Sequence, residues 1–366
     1  MTAAITQSYG VLAQVIADSS AVHRRLDQLT LQASSGLKSD SYAGLGPSAH
    51  IPLDLHPQLA ALQTCQDNID AASGSLQVTQ SAMTQMQQIA SDFRAQLNNL
   101  NGLNTQDVDV IAASARDALT QVANLLDTQY GSVYVFAGQD AGTAPVPAPD
   151  AITTSPFFTD IATAVAGLSG SDADTTFGQA VSIASVGGTS PFSAYLSQPV
   201  GNPAPPPAQN INRPLVQTGP VRFQPVGLLA SANCYATSSG QFSTQTSAVR
   251  DLMCSLAVIG SLGSSQASDP NFAGLVQDTR SCLSGAVDTL ATEAGALGNV
   301  QSSLTAARTQ LADTAAALTA QVSSAEDADM AGTLSNLSQV QTQLQASYQL
   351  IAGLSGLSLV KFLPAG

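Results

Sequence analysis

The chain has 366 residues and a formal net charge of −14, with 11 Lys and Arg against 25 Asp and Glu. That balance excludes nucleic acid and anionic membrane surfaces as partners, because both are recognised through basic patches. Apolar residues reach 44%, but aromatics are 5%, Trp is absent and charged residues are only 10%, which favours helix–helix seams over a bulky globular core in a length sufficient for two or three domains.

Residues 5–33 carry the first strong pattern. Ile5, Leu12, Ser19, Leu26 and Ala33 fall seven apart, and Val15, Val22 and Leu29 fill the complementary seam. This is a narrow apolar stripe of the coiled-coil kind. The pattern stops at Ser34-Ser35-Gly36, where glycine can cap a helix. His23 lies beside Arg24 and Arg25 and reads as a solvated face residue. Both arginines follow the first apolar run, so no secretory signal peptide is visible.

Residues 36–57 read as a non-helical link, because Gly44, Gly46, Pro47, Pro52 and Pro57 oppose a continuous helix. His50 and His56 read as solvated loop histidines, since no carboxylate or Cys cluster surrounds them.

The longest clean heptad follows over 58–101: Leu62, Ile69, Leu76, Met83, Ala90 and Leu97, with Met86, Phe93 and Leu100 as the second seam. Asn98, Asn99, Asn101 and Gly102 predict a turn. A helix is predicted over 105–129, with Val108, Ile111, Ala115, Leu119, Val122 and Leu126 on one face. Asp107 and Asp109 suit its positive N-terminal end. The run Tyr130-Gly131-Ser132-Val133-Tyr134-Val135-Phe136-Ala137-Gly138 then predicts a strand or hairpin.

Residues 141–240 hold thirteen of the eighteen prolines. They read as a small irregular β-domain with loops, with strand-like pieces at Val181–Val186 and Val221–Val226. Helix returns near Thr246, with Val249, Leu252, Met253, Leu256 and Ile259 on one face. The apolar run Leu252–Leu262 is too short to span a bilayer. Asp269-Pro270 predicts a helix start.

From Leu297 to Leu363 two heptads run out of phase. Leu297, Leu304, Leu311 and Leu318 form one; Met330, Leu337, Leu344 and Ile351 form the other, with Leu334 and Tyr348 nearby. The shift at Ser323–Asp329 predicts two helical pieces or one with a local irregularity. Leu354, Leu357, Leu359, Val360, Phe362 and Leu363 form an apolar tail.

The predicted fold is mainly α. Long paired terminal helices form a coiled-coil-like rod or bundle, with an inserted small irregular β-rich domain. The divisions are 1–57 (core helix and link), 58–140 (rod helices and hairpin), 141–247 (Pro-rich insert), 248–325 (rod helices) and 326–366 (core helix). Narrow apolar stripes at both ends predict that the terminal helices pair with each other and with neighbouring copies, through Ile5, Leu12, Val15, Val22, Leu26, Leu29, Met330, Leu334, Leu337, Leu344, Ile351 and Leu354.

No nucleophile–base set, zinc spacing or phosphate loop appears, so no enzyme, cofactor or metal is expected. The cluster Glu326, Asp327, Asp329 reads as a solvated helix start. Cys65, Cys234, Cys254 and Cys282 read as packed thiols; a Cys254–Cys282 bridge stays the alternative for a product that ends outside the cell.

Four stretches give the chain a family resemblance. Ser34-Ser35-Gly36-Leu37-Lys38-Ser39-Asp40-Ser41-Tyr42-Ala43-Gly44 resembles the segment after the first helix of bacterial flagellins. Tyr130, Gly131, Tyr134, Phe136 and Gly138 lie in a run similar to the signature of the family's hook–filament junction branch, hook-associated protein type 3. Glu326-Asp327-Ala328-Asp329-Met330-Ala331 resembles the segment that opens the last flagellin helix, and Ser358–Leu363 resembles the family's ending. The resemblance spans about 1–140 and 250–366. Where the family has a "NSAKDDAAG"-type stretch, this chain has Ser39–Gly44 followed by Gly46-Pro47, and four cysteines are unusual for the family.

The resemblance implies paired terminal helices forming the inner core of a tube, and an outward insert. It implies self-assembly into a ring or tube in the bacterial flagellum, beside another hook-associated protein and flagellin. It also implies export through the type III apparatus without a cleaved signal, and an export chaperone on the C-terminal helix. A filament flagellin is the alternative within the family. A coiled-coil binding protein secreted by a related type III system is the alternative from another class.

Overall fold

A computed structural model describes residues 2–100, 105–197, 213–240 and 242–360; side chains of 2–13, 15, 105, 106 and 354–360 are outside the description. The chain is mainly helical: α1 (Thr2–Ser35), α2 (His50–Asn99), α3 (Thr105–Leu126), α4 (Pro156–Ala166), α5 (Ala173–Ser185), α6 (Ala194–Ser197), α7 (Ala248–Gly260), α8 (Phe272–Glu326) and α9 (Met330–Val360). Two short antiparallel sheets accompany them, β1 (Gln129–Tyr130) with β2 (Val133–Tyr134) and β3 (Leu215–Gly219) with β4 (Arg222–Pro225). Two compact units result, 1–63 with 312–366, and 64–311, and the border between them falls inside α2 and α8.

In the first unit, α1 ends where glycine permits it. Gly36 takes φ +75°, a left-handed conformation costly for other residues, while its N–H still donates to the Gln32 carbonyl at 2.9 Å. A 3-10 helix covers Tyr42–Ala49 and kinks at Gly46, φ +58°. The non-helical link is therefore shorter than its prolines predict, because α2 already starts at His50. Pro52 sits in the first turn, where a backbone N–H has no intrahelical acceptor, and Pro57 is tolerated inside α2 at the loss of one hydrogen bond. The phase shift near Ser323–Asp329 is a true break between α8 and α9.

The second unit is built on the predicted heptads. Ile69, Leu76, Met83, Ala90 and Leu97 are all buried, as are Met86 and Phe93. Antiparallel α2 and α8 are cross-linked by Asp70–Arg308 (2.5 and 3.0 Å), Arg94–Ser284 (3.4 Å) and Asn98–Arg280 (2.9 Å). The turn predicted at 98–102 lies partly outside the described residues.

Helix α7 is the centre of this unit. The sequence predicts one apolar face, yet every residue from Ala248 to Gly260 is buried. Helices α3, α4 and α5 all pack on it. A helix enclosed on all sides must satisfy its polar groups internally. Arg250 donates to the Ala184 carbonyl (2.7 Å), the Ser231 carbonyl (3.1 Å) and the Ser190 hydroxyl (3.3 Å), and lies over the Phe192 ring. Asp251 accepts the Thr244 N–H at 2.7 Å. Burying each of Leu252, Met253, Leu256 and Ile259 contributes about 1.5–3 kcal/mol.

The described residues of the insert hold α4, α5 and α6 beside the β3–β4 hairpin, and one predicted strand is helix. Val181–Val186 is the end of helix α5 and its C-cap, with no strand. Asp172 caps α5 by accepting the Thr175 N–H at 2.6 Å, and Phe177, Ala180 and Ala184 give a buried face at helical spacing. Cap and spacing outweigh the β-branched residues. Val221–Val226 does contain β4, paired in register Leu215↔Pro225, Val216↔Gln224 and Gln217↔Phe223.

The chain returns to α7 over α8. The Glu293 carboxylate, 3% exposed, accepts the N–H groups of Tyr235 (2.7 Å), Ala236 (2.7 Å) and Cys234 (3.1 Å). Burial raises its pKa, and those donors oppose the rise. All four cysteines are free and buried. Burial pushes the thiols of Cys234 and Cys282 up to about 12, so they are packed and unreactive. The predicted start at Asp269-Pro270 is an Asx turn, Asp269 accepting the Asn271 N–H at 2.8 Å two residues ahead of α8.

Candidate assembly surface

The predicted interface residues lie in the first unit, on α1 and α9, which pack together. Leu29 is buried, as is Ser19, another heptad position, while Val22, Leu26, Leu337, Leu344 and Ile351 are half-buried. Ile5, Leu12, Val15 and Leu354 fall among residues whose side chains are not described. The line that α9 buries most deeply was missed from sequence: Thr333 and Val340, seven apart and about 5–6% exposed. Thr333 is polar, so an apolar heptad search passes over it.

The pairing leaves apolar side chains uncovered. Leu350 is 64% exposed, Leu31 57%, Ile16 54% and Leu334 52%, with Tyr348 and Met330 also exposed. One contact between the helices is polar. His23 hydrogen-bonds the Tyr348 hydroxyl across the pair, so it is half-buried against α9 and is not a solvated face residue.

A second contact closes the pair where α1 ends and α8 breaks into α9. Leu37 and Asp327 form an antiparallel bridge. The Lys38 N–H donates to the Glu326 carbonyl at 2.6 Å, and the Ala328 N–H to the Gly36 carbonyl at 2.8 Å. The Lys38 ammonium donates to the carbonyls of Ser324 (2.6 Å) and Ala325 (3.0 Å). These are last-turn carbonyls of α8 without intrahelical donors, and a cation is favoured at that end of the dipole. Gln32 fixes the loop by donating to the Lys38 carbonyl at 2.8 Å.

The three carboxylates of the cluster divide their tasks. Glu326 lies 3.3 Å from the His56 imidazole, so His56 is not a lone loop residue. Asp327 supplies the bridge through its backbone. Asp329 caps α9, accepting the N–H groups of Ala331 (3.1 Å) and Gly332 (3.2 Å). Gly332 leaves the room for that cap, since a Cβ there would stand 2.9 Å from the Asp329 carboxylate. Among the described residues no group of three or more His, Cys, Asp or Glu could hold a metal ion, and no helix is long and apolar enough to cross a membrane.

The Tyr130–Gly138 run belongs to the second unit. It forms the β1–β2 hairpin with Tyr130↔Val133, turned by Gly131 at φ +65°. The Tyr130 ring end rests against α2 at Gly74, where any side chain would collide with it. Tyr134 donates its N–H to the Ala141 carbonyl at 3.0 Å. Phe136 is fully buried, Ala137 bridges to Leu229, and Gly138 takes φ +68°.

These features define a class of architecture: a mainly helical chain whose long terminal helices pack together and still expose apolar side chains. The family model for the bacterial flagellin N-terminal helical region matches residues 13–141, and that for the flagellin C-terminal helical region matches 281–363. Together they cover more than half of the chain, which belongs to the bacterial flagellin family. The family is a structural, non-enzymatic one, and the chain is accordingly a structural subunit of the bacterial flagellum, an extracellular appendage, and assembles with itself into a polymer. Among curated proteins none matches the chain.

Proposed function

We propose that this subunit joins hook to filament. The observation that carries the reading is the Tyr130–Gly138 run, which resembles the signature of the family's junction branch. Its folded hairpin supports the reading, because the spaced aromatics and glycines have separate structural tasks there. In this role α1 and α9 pack against neighbouring copies, and another hook-associated protein and flagellin stand on either side. The chain leaves the cell through the type III apparatus without a cleaved signal, and an export chaperone holds α9 before export. The exposed apolar residues of α9 are what such a chaperone would cover.

A filament flagellin is the second reading, which the two family regions support equally. Gold-tagged antibody on intact cells separates the two under the electron microscope. A single band where hook meets filament is the expected result. Label along the whole filament would make the chain a filament subunit. Protein found only free in the medium would favour a secreted binding protein.

A further inference from the structure

Between residues 117 and 212 the chain has seven Asp and no Lys, Arg or His. Two of these carboxyls lie at the start of α5. Asp172 is spent on the helix cap, whereas Asp174, in the first turn, is exposed. The start of α8 holds this end of α5 in place. A Cβ at Gly274 would stand 2.7 Å from the Ala173 Cβ, so the two helices approach closely there. The Asn271 amide donates to the carbonyls of Ser171 (2.8 Å) and Leu168 (3.4 Å).

Asp278 follows one turn after Gly274, on the same face of α8. It is 9% exposed, and its Oδ2 is buried with no hydrogen-bond donor. The Asp174 carboxyl is its neighbour. Arg280, two residues further on, is turned to Asn98 on α2 and to Gln277. Among the described residues no basic side chain forms an ion pair with Asp174 or Asp278. Adjacent carboxyls, one of them with an orphaned buried oxygen, do not both ionise without a counter-charge.

We propose that Asp174 and Asp278 together bind a divalent cation of the calcium kind. The donors on offer are carboxylate oxygens, which suit a hard cation. Asp174 is exposed, so water completes the coordination sphere. Calcium accepts such an irregular sphere, whereas magnesium demands an octahedron and gives up water reluctantly. Two carboxylates make an open site rather than a closed cage, with the affinity of extracellular calcium modules, a Kd of about 10⁻⁴–10⁻³ M. A site this weak fills outside the cell, where the appendage stands, and there the ion fastens α5 to α8. The proposal is independent of whether the subunit sits at the junction or along the filament.

The test follows thermal unfolding of the full chain near neutral pH, first with chelator and then in about 10 mM CaCl2 at matched ionic strength. Calcium should raise the transition of the second unit by about 2–4 °C. Asp278→Asn and Asp174→Asn should each abolish the rise, and MgCl2 should give less than about half of it. At about pH 5 the rise should shrink, because protons compete for the same oxygens. Equilibrium dialysis against radioactive calcium should find one ion per chain that both variants lose. No rise in the wild type, an equal rise in Asp278→Asn, or an equal effect of magnesium would overturn the site, and the flagellar reading would stand.

Discussion

The Lys38 ammonium stands 2.6 Å from the carbonyl oxygen of Ser324, 286 positions further along the chain. It joins the loop after the first helix to the end of α8, at the break where α9 begins. Without it the last carbonyls of α8 turn to water and the α8–α9 break loosens. Lys38→Met should cost about 0.5–1 kcal/mol, because the ammonium is exposed and water replaces part of the contact. Hydrogen exchange should speed up over residues 320–335 and stay unchanged over 64–311. Unchanged protection at 320–335 would show that the backbone bridge at Leu37 and Asp327 holds the break alone.

Leu26 and Leu344 are half-buried on α1 and α9. Leu26→Asp or Leu344→Asp should stop assembly while the second unit keeps its thermal transition, since a carboxylate enclosed in a helix interface is strongly disfavoured. Incorporation into appendages, read by blotting of sheared material, checks this. Wild-type incorporation of both variants would show that these positions face no interface.

Two helical glycines should respond differently to alanine. A Cβ at Gly74 meets the end of the Tyr130 side chain, which is 41% exposed and free to turn. A Cβ at Gly285 collides with the backbone carbonyl of Ser239, which has no such freedom. Alanine gains about 1 kcal/mol of helix propensity at either site. Gly74→Ala should therefore leave stability within about 1 kcal/mol of wild type, whereas Gly285→Ala should lose about 1–2 kcal/mol through overpacking. Denaturant unfolding of both variants measures the contrast, and equal midpoints would refute it.

Asp278 on α8 is pushed up to about 6, by burial first and then by the neighbouring Asp174 carboxyl. Its folded pKa stands above the unfolded value of 3.8, so the folded state holds the proton more tightly. The stability this provides is complete below the unfolded pKa and is lost as pH rises through about 6. Asp278→Asn should flatten that fall and raise Tm at neutral pH. Thermal scans between about pH 4 and pH 8 would expose a wrong sign, namely a wild type that gains stability over Asp278→Asn as pH rises.

Local rules made much of this protein legible. The heptad Leu62 to Leu97 names core residues correctly because helical periodicity repeats within one turn or two, and the partner need only be apolar. The same holds for the stop at Gly36, where only the backbone conformation of one residue matters, and for the α8–α9 break, where the apolar phase itself shifts. The Tyr130–Gly138 hairpin is likewise written in its own glycine and β-favouring residues.

What tertiary structure decided are the contacts whose halves lie far apart in sequence. His23 and His56 look solvated until Tyr348 and Glu326 arrive from the other end of the chain. The amphipathic pattern of α7 shows one apolar face, but α3, α4 and α5 together cover the others, and Arg250 becomes a buried donor only because the Ala184 and Ser231 carbonyls meet it there. Val181–Val186 has strand-like composition, yet the Asp172 cap and burial of Phe177, Ala180 and Ala184 hold it helical. A sequence states which side chains seek burial or a hydrogen bond; which distant group answers each is fixed only when the chain closes on itself.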